Sequence, residues 1–296
     1  MMRIEIAGFG STVQDQGRFG HLRAGVPISG PADPFAFRAA QSLVGNSVAD
    51  AALEVVGAAF AFRCDDSRLI AVTGRDVSVA VRDGVPAWTS VFVRAGDVVR
   101  VAGTARTRYA YVAISGGIAT DPVLGSRSAY PRAGLGRALA AGDTLPLGAA
   151  RGTAEDAGHR VPFEYGDRAA AIAGPHLDRF DVTTIARFFG SDFVASAQSD
   201  RQGARFEGPN VASRMGEILT CGVTDGAVQV PSGGQPIVLL ADHQTTGGYP
   251  VIATVIEADL GLVAQRAPGE KIRFYRVERD AARERAGELR ALLATA

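Results

Sequence analysis

The densest cluster of chemically versatile side chains lies between residues 239 and 250. The apolar run Leu239-Leu240-Ala241 is followed at once by Asp242-His243-Gln244-Thr245-Thr246-Gly247-Gly248-Tyr249. A hairpin turn does not need a carboxylate, an imidazole, an amide and hydroxyls together, whereas sites that hydrogen-bond a ligand or move a proton use these groups. Paired glycines also let a ligand approach the backbone. We interpret this segment as a candidate ligand site.

A second candidate segment lies near the N-terminus. Ser29 and Gly30 come just before Asp33-Pro34, a pattern typical of a helix start, where free backbone N–H groups can bind an anion. Upstream, one loop supplies an amide, a carboxylate and a bidentate cation in Gln14, Asp15 and Arg18. The same residue types also occur in loops that only satisfy their own backbone, so both interpretations stay open.

Two further positions have less distinctive surroundings. Arg127 and Arg132 lie among several hydroxyls, an arrangement that suits either a carboxylate or phosphate clamp or a solvated loop. Gln41 is predicted to lie on the apolar face of a helix, where an amide without partners would cost roughly 1–3 kcal/mol. Its amide therefore either faces a substrate or ties down a neighbouring loop.

Composition excludes several classes of function. The 31 Lys plus Arg balance 31 Asp plus Glu, so the strong positive field of a nucleic-acid or anionic-membrane protein is missing. Lys271 is the only lysine, which nearly excludes a lysine base or Schiff base. Cys64, Cys221 and four histidines show no zinc spacing, and phosphate-loop, dinucleotide and nucleophile-elbow motifs are missing. Two cysteines without a framework, no leader and no membrane span predict a cytoplasmic protein.

The elements that position these groups are predicted to be mainly strands. The 36 glycines and the short apolar runs between turn signals are typical of a barrel or sandwich. Strands are predicted at 3–7, 69–72, 77–81, 88–93, 98–101, 109–114, 223–230, 237–240 and 252–256. Helices are predicted at 34–44, 178–189 and 280–293.

Two pairs of similar segments favour a duplicated β-domain. Residues 11–19 resemble 196–206, and residues 94–101 resemble 266–274, in the same order. A polar stretch without periodicity at 149–158 is predicted to be the linker. The predicted domains are therefore residues 1–150 and 159–279, followed by a C-terminal helix at 280–296.

Ordered motifs from residue 3 to residue 274 carry a family resemblance. They include Thr12-Val13-Gln14-Asp15, Gly25-Val26-Pro27-Ile28-Ser29-Gly30, Leu43-Val44-Gly45-Asn46, Val123-Leu124-Gly125-Ser126-Arg127-Ser128, Gln229-Val230-Pro231 and Gln244-Thr245-Thr246-Gly247-Gly248-Tyr249-Pro250. Together they resemble the biotin-dependent carboxyltransferase and allophanate hydrolase subunit 2 family, which includes the C-type subunit of bacterial 5-oxoprolinase.

The resemblance implies a fold of two cyclophilin-like β-barrel domains with a few short helices. It also implies a B-type partner (allophanate hydrolase subunit 1, KipI-like) and a third, A-type partner. Some relatives cleave 5-oxoproline to glutamate with ATP, and Mg would accompany ATP in such a complex. Relatives in urea carboxylase transfer a carboxyl group from carboxybiotin to urea, and a KipA-like relative antagonises an inhibitor of a sporulation kinase.

The leading hypothesis from the resemblance is the C-type subunit of an ATP-dependent 5-oxoprolinase-like amidohydrolase, active only in complex and acting on a small amide. Phosphorylating the lactam oxygen would create a leaving group. The expected catalytic residues are Asp15, Asp242, Gln244 and Thr245. The expected substrate-binding residues are Gln14, Arg18, Ser29, Gly30, Gln41, Arg127, Arg132, Thr246, Gly247 and Tyr249. No metal ligand is expected in this chain.

Two alternatives accompany this hypothesis. A carboxyltransferase subunit would need biotin on a separate carrier, because Lys271 has no carrier motif around it. A non-catalytic, KipA-like regulator would bind its KipI-like partner and relieve inhibition. Departures from the family pattern keep the substrate open: Gln41 replaces a usual Asn, and Cys221 replaces a usual Glu, which removes a carboxylate.

Overall fold

The computed structural model describes residues 1–57, 59–160 and 162–294. These form two compact units. The first comprises Met1–Phe19, Ser29–Glu164 and the chain end from Leu293. The second comprises Gly20–Ile28 and Tyr165–Leu292, so a short N-terminal segment belongs to the second unit.

The polar stretch 149–158 packs as part of the first unit, contrary to the expected linker. Arg151 donates its backbone N–H to the Ser115 hydroxyl at 2.7 Å. The Gly158 carbonyl accepts from the Ser90 backbone N–H at 2.8 Å. The chain passes from the first unit to the second after Glu164.

The first unit contains two antiparallel sheets around a shared apolar core. One sheet has the order β11-β1-β4-β9-β6-β7 and the other β2-β3-β10-β5-β8. Alternating apolar residues such as Ile4, Phe62 and Val99 fill the core and are fully buried. The strands are β1 Met2–Ile6, β2 Thr12–Gln14, β3 Ala52–Val56, β4 Ala59–Cys64, β5 Arg68–Gly74, β6 Val77–Val81, β7 Asp83–Val85, β8 Ser90–Val93, β9 Val98–Gly103, β10 Tyr109–Ile114 and β11 Thr144–Leu145.

Helix α1, Pro34–Leu43, covers one face of the second of these sheets. It begins where predicted, because the Asp33 carboxylate accepts from the Ala36 N–H at 3.1 Å and Pro34 occupies the first helical position. Phe37 is buried and meets Tyr111 of β10 edge-on, with ring centroids 6.0 Å apart.

The second unit is a closed barrel with the order β12-β19-β16-β17-β14-β13-β20. All its neighbouring strands are antiparallel except β12 and β20, which pair in parallel and close the barrel. The strands are β12 Arg168–Ala173, β13 Asp192–Ala195, β14 Gly203–Glu207, β15 Cys221–Gly222, β16 Ala227–Gln229, β17 Ile237–Leu239, β18 Thr246–Gly247, β19 Val251–Val255 and β20 Lys271–Arg276. The mainly β prediction is confirmed.

An aromatic cluster fills the second unit where helix α2, Val182–Gly190, packs on it. Phe188 of α2 stacks on Phe274 of β20 with centroids 5.1 Å apart, and Phe206 meets Phe274 edge-on. The helix begins at Val182 rather than at 178, because Asp181 is the residue whose carboxylate caps the Thr184 N–H.

Two further helices complete the second unit. Helix α3 is Leu260–Ala264, and α4 is Arg279–Ala294, close to the predicted helix; the last two predicted residues, 295 and 296, lie outside the described residues. Arg285 fastens α4 by donating to the buried Asp259 carboxylate at 2.9 Å. No helix in the described ranges is both long and apolar enough to cross a bilayer.

One of the two pairs of similar segments forms matching turns in the two units. Asp97 donates its N–H to the Arg94 carbonyl, and its carboxylate accepts from the Arg94 N–H. Glu270 makes the same two hydrogen bonds with Ala267. Each turn is followed by a strand, β9 or β20, as the duplicated pattern predicted.

Candidate functional site

The segment that follows β17 is held in place by a buried ion pair. Asp242 accepts from Arg201 through both carboxylate oxygens, at 2.7 Å from Nε and 3.0 Å from an Nη. The backbone N–H of Asp242 also donates to the Arg201 carbonyl at 2.9 Å. Such a bidentate pair fixes the position and direction of the loop. The carboxylate predicted to be an acid or base is thus engaged within the protein.

His243 lies beside a second carboxylate. Its Nδ1 donates to the Gln244 carbonyl at 2.5 Å, and its Nε2 lies 3.2 Å from Asp225. Burial alone would lower the pKa of His243, but the Asp225 carboxylate and the Gln244 carbonyl outweigh it and raise the pKa above its ordinary value. The imidazole therefore links the turn before β16 to the loop after β17. Sequence reasoning did not assign a role to either residue.

Two glutamine side chains meet at the end of β16. Gln244 donates its amide N–H to Gln229 Oε1 at 3.1 Å. Gln229 is 1% exposed, yet its Nε2 has no hydrogen-bond partner among the described residues. A buried amide nitrogen without a hydrogen-bond partner is rare in folded proteins and calls for an explanation. Gln229 ends the short strand Ala-Val-Gln, and a polar residue after two apolar ones was the signal that could have marked it.

Gly247 of this segment lies opposite Cys221, the residue that stands where the family usually has Glu. Gly247 pairs with Cys221 in the short β15–β18 ladder, and Gly248 accepts from the Ile218 N–H at 2.8 Å. Thr246 belongs to the same ladder and pairs with Gly222, while Thr245 and Tyr249 flank it; these three residues are half-buried or exposed. The segment therefore brings the predicted residues Gln244 and Gly247 together at Gln229.

In the first unit, hydrogen bonds to the Asp15 carboxylate connect its own loop with the loop at residues 126–128. Its carboxylate accepts from the Ser126 and Ser128 hydroxyls at 2.6 and 2.7 Å, and from the backbone N–H groups of Arg127 and Gly17 at 2.6 and 2.9 Å. Burial alone would raise the pKa of Asp15, but these four hydrogen bonds together hold it below the ordinary value. Four donors leave this carboxylate little capacity to move a proton.

Arg18 and Arg127 line a cavity of about 220 Å³ in the first unit. Arg18 is 1% exposed and donates to the carbonyls of Val123 and Ser128 at 3.0 and 2.7 Å, and Arg127 donates from Nε to the Thr120 carbonyl at 2.6 Å. Arg137 and Asp121 also line it, so three guanidinium groups and one carboxylate give this cavity positive character. Arg132 is exposed in the short 3₁₀ turn Pro131–Ala133 and does not line the cavity.

The remaining predicted residues of the first unit have mainly local partners. Gln41 donates to the Asp50 carbonyl at 2.5 Å and accepts from Asn46 at 2.8 Å, so its amide ties the end of α1 to the next loop. Gln14 donates to Thr12 and to the Ala129 carbonyl. Its Oε1 is buried without a partner among the described residues.

The predicted anion site before α1 has a tightly constrained backbone. Ser29 and Gly30 both have positive φ, 61° and 85°, and a Cβ on Gly30 would lie 3.1 Å from the Gln16 carbonyl oxygen. The Ser29 hydroxyl is buried without a hydrogen-bond partner in the described part of the chain. The position therefore requires glycine at residue 30 and leaves one hydroxyl available.

A buried network beside α1 was missed by the sequence analysis. Tyr111 donates to Glu54 at 2.8 Å and accepts from the Asp33 N–H at 2.7 Å, and Glu54 also accepts from the Ala32 N–H at 2.9 Å. Burial, and then the negative charge of Glu54, raise the pKa of Tyr111 well above its ordinary value, so the phenol stays neutral. A glutamate within the apolar strand Ala-Leu-Glu-Val-Val was the signal.

Comparisons with known proteins agree with the motifs. A family model described as "Carboxyltransferase domain, subdomain A and B" matches residues 24–276. The C-type subunit of the 5-oxoprolinase of Escherichia coli strain K12 is 36% identical over 281 residues, which cover 93% of this chain and 90% of that protein.

Two crystal structures share the fold. TTHA0988 superposes with a TM-score of 0.85 at 30% identity and covers 92% of this chain; this chain spans only 55% of TTHA0988. The urea amidolyase of K. lactis superposes with a TM-score of 0.85 at 27% identity over 98% of this chain. This chain spans 20% of that protein.

Proposed function

The chain belongs to the carboxyltransferase family of subdomains A and B, and from this premise we propose that it is the C-type subunit of a 5-oxoprolinase-like complex. In that complex it would act with a B-type partner, similar to allophanate hydrolase subunit 1, and with a third, A-type partner. The overall reaction consumes 5-oxoproline, ATP and two waters and yields glutamate, ADP and phosphate. The bond that breaks is the amide bond of the lactam.

The observation that carries this proposal is the extent of the match. The alignment with the E. coli 5-oxoprolinase component covers nearly the whole of both chains, whereas the match to K. lactis urea amidolyase takes up 20% of that protein. A chain that aligns along almost the whole length of a subunit is expected to fill the place of that subunit in an assembly.

The second unit supplies groups that suit an amide substrate. Gln229 and Gln244 place amide groups next to Gly247, whose missing side chain lets the Gln229 amide approach the backbone. Amide donors and acceptors complement a lactam, which itself has one C=O and one N–H. The Arg201–Asp242 pair and the His243–Asp225 pair hold the loop that carries Gln244 and Gly247.

The described residues of this chain do not offer a site for Mg. The described residues contain no group of three His, Cys, Asp or Glu side chains that could hold a metal ion. Lys271, the single lysine, is exposed and pairs with Asp192 at 4.0 Å. We therefore assign the nucleotide and its metal to the partner proteins and give this chain the task of holding the amide.

The test uses this chain co-expressed with its A-type and B-type partners. ATP hydrolysis is measured with and without 5-oxoproline, and glutamate and ADP are quantified together. Glutamate appearing in step with ADP supports the proposal. A stable complex with no glutamate, and with ADP release that does not depend on 5-oxoproline, contradicts it.

The second candidate is the carboxyltransferase component of a biotin-dependent urea or amide carboxylase. The observation that favours it is the superposition with K. lactis urea amidolyase over 98% of this chain. Biotin would then be attached to a separate carrier protein. Adding carboxylated biotin carrier and urea, and measuring carboxylated product, distinguishes this candidate from the first, because only the second candidate consumes the carboxybiotin.

A further inference from the structure

The unused donor on Gln229 is the strongest indication of a ligand in the second unit. Its Oε1 is engaged by Gln244, so its amide nitrogen is the atom left over, and that nitrogen is buried without a partner among the described residues. Folded proteins rarely bury a donor that nothing accepts. The two N–H groups of Gln229 are therefore available to an acceptor that comes from outside the chain.

Gly247 packs directly against this donor, because the missing side chain leaves the place that the Gln229 amide occupies. A Cβ built on Gly247 would clash with Gln229 Nε2, and it would lie 3.4 Å from Gln244 Nε2. Gly248 has no such constraint, since its Cβ would meet only the Ile218 carbonyl oxygen at 3.4 Å and the Thr220 hydroxyl at 3.6 Å. Two adjacent glycines thus differ: one borders the free donor and the other does not.

We propose that the Gln229 amide donates to the carbonyl oxygen of the small-amide substrate, with Gly247 as the positioning residue that keeps the Gln229 side chain in place. The orientation is fixed because Gln244 occupies the acceptor end of the Gln229 amide. A lactam or urea carbonyl oxygen gains negative charge when its carbon is attacked, and a preorganised N–H donor stabilises that charge. The inference rests on the proposed function for the identity of the amide, 5-oxoproline.

The test replaces Gln229→Met and Gly247→Ala in the complete complex, with Gly248→Ala as the matched control. Methionine has nearly the length of glutamine but neither an N–H donor nor an acceptor oxygen, so it removes the unused N–H groups together with the hydrogen bond that Gln229 accepts from Gln244. We expect kcat/KM for 5-oxoproline to fall by about 10²-fold in Gln229→Met, the lower end of the loss found when such donors are removed. Gly247→Ala falls in the same direction, and Gly248→Ala keeps at least half of the wild-type value.

Thermal unfolding of the variant chain separates binding from structure. Gln229→Met removes the unsatisfied Nε2 and also the acceptor of Gln244, whose exposed side chain can donate to water instead. Its Tm should therefore change little while activity falls. A purely structural role predicts the opposite, a lower Tm with proportionate loss of folded complex. Unchanged kcat/KM in Gln229→Met overturns the inference and leaves the proposed function standing.

A binding measurement covers the case in which the wild-type complex does not turn over 5-oxoproline. Calorimetry without ATP then compares 5-oxoproline, 2-pyrrolidinone and urea as probes on wild-type and Gln229→Met complexes. An affinity that falls about tenfold or more in Gln229→Met supports the inference, whereas the missing turnover of 5-oxoproline counts against the proposed function. Equal affinity in both complexes, or no binding of any probe, overturns it.

Discussion

The Arg201–Asp242 pair offers the sharpest test of how the candidate loop is held. Asp242 is 6% and Arg201 14% exposed at the side chain, and both carboxylate oxygens are engaged. The change Asp242→Asn preserves shape but removes the charge and places an amide N–H group against the guanidinium. Breaking a buried pair from one side costs about 3–5 kcal/mol in other proteins, and the partial exposure of Arg201 places the expectation at the low end, about 3 kcal/mol.

Urea unfolding and calorimetry measure this loss. A change of about 3 kcal/mol corresponds to a Tm lower by about 6–12 °C for a domain of this size. The matched control is Asp192→Asn in the same unit, because Asp192 pairs with Arg273 at 2.6 Å but the two side chains are 39% and 45% exposed. Exposed pairs contribute between about 0 and 1 kcal/mol, so the control should lose less than about 1 kcal/mol.

A double-mutant cycle decides whether the pair itself carries the effect. The change Arg201→Met is combined with Asp242→Asn, and a coupling energy of about 2 kcal/mol or more is expected. Additive effects, or a loss in Asp242→Asn no larger than in the Asp192→Asn control, would refute the reasoning. Full stability of Asp242→Asn together with lost complex activity would instead return Asp242 to the acid–base role predicted from the sequence.

Three further predictions follow from the buried groups. Because the pKa of Asp15 is lowered on folding, the stabilisation it provides is present above the ordinary aspartate pKa and lost as pH falls through the folded pKa. Asp15→Ala should flatten the acid limb of unfolding midpoints measured against pH. The raised pKa of His243 has the opposite sign: its stabilisation is present below about pH 6.5 and is lost as pH rises through the folded pKa. An NMR titration should show the raised pKa, and Asp225→Asn should lower it. Tyr111→Phe leaves Glu54 without one donor and should cost about 1–3 kcal/mol in urea unfolding, with normal secondary structure by circular dichroism.

Local sequence signals predicted those parts of the fold in which a residue affects only its neighbours in the chain. Asp33-Pro34 defined the start of α1 because a cap and a proline act within one turn. The same reasoning failed at α2, since both Asp178 and Asp181 can cap a helix and the hydrogen bond to the Thr184 N–H selects Asp181. Which strands pair, and that β12 meets β20, depends on contacts about a hundred residues apart that no local pattern contains.

The segments that form the candidate site were predicted better than the roles of the individual residues within them. Asp15 and Asp242 were predicted to be catalytic residues because carboxylates commonly move protons. Their partners Ser126 and Arg201 lie 111 and 41 residues away, so their engagement was not visible in the chain. Gln229 was overlooked as a site residue for the opposite reason: its strand is apolar, and the value of one polar residue there appears only once its neighbours are known.

The parallel pairing of β12 with β20 also determines when the second unit can fold. β12 starts at Arg168 and its partner ends at Arg276, so the barrel cannot close until nearly the whole unit has left the ribosome. Pairings of such long separation form slowly. Until then, β12 and β13 lack their partner β20 and have unpaired edges, with which strands of other chains can pair. A truncation before Lys271 would make that state permanent, so nascent-chain protection by chaperones, rather than the final stability, is expected to set the yield of this protein.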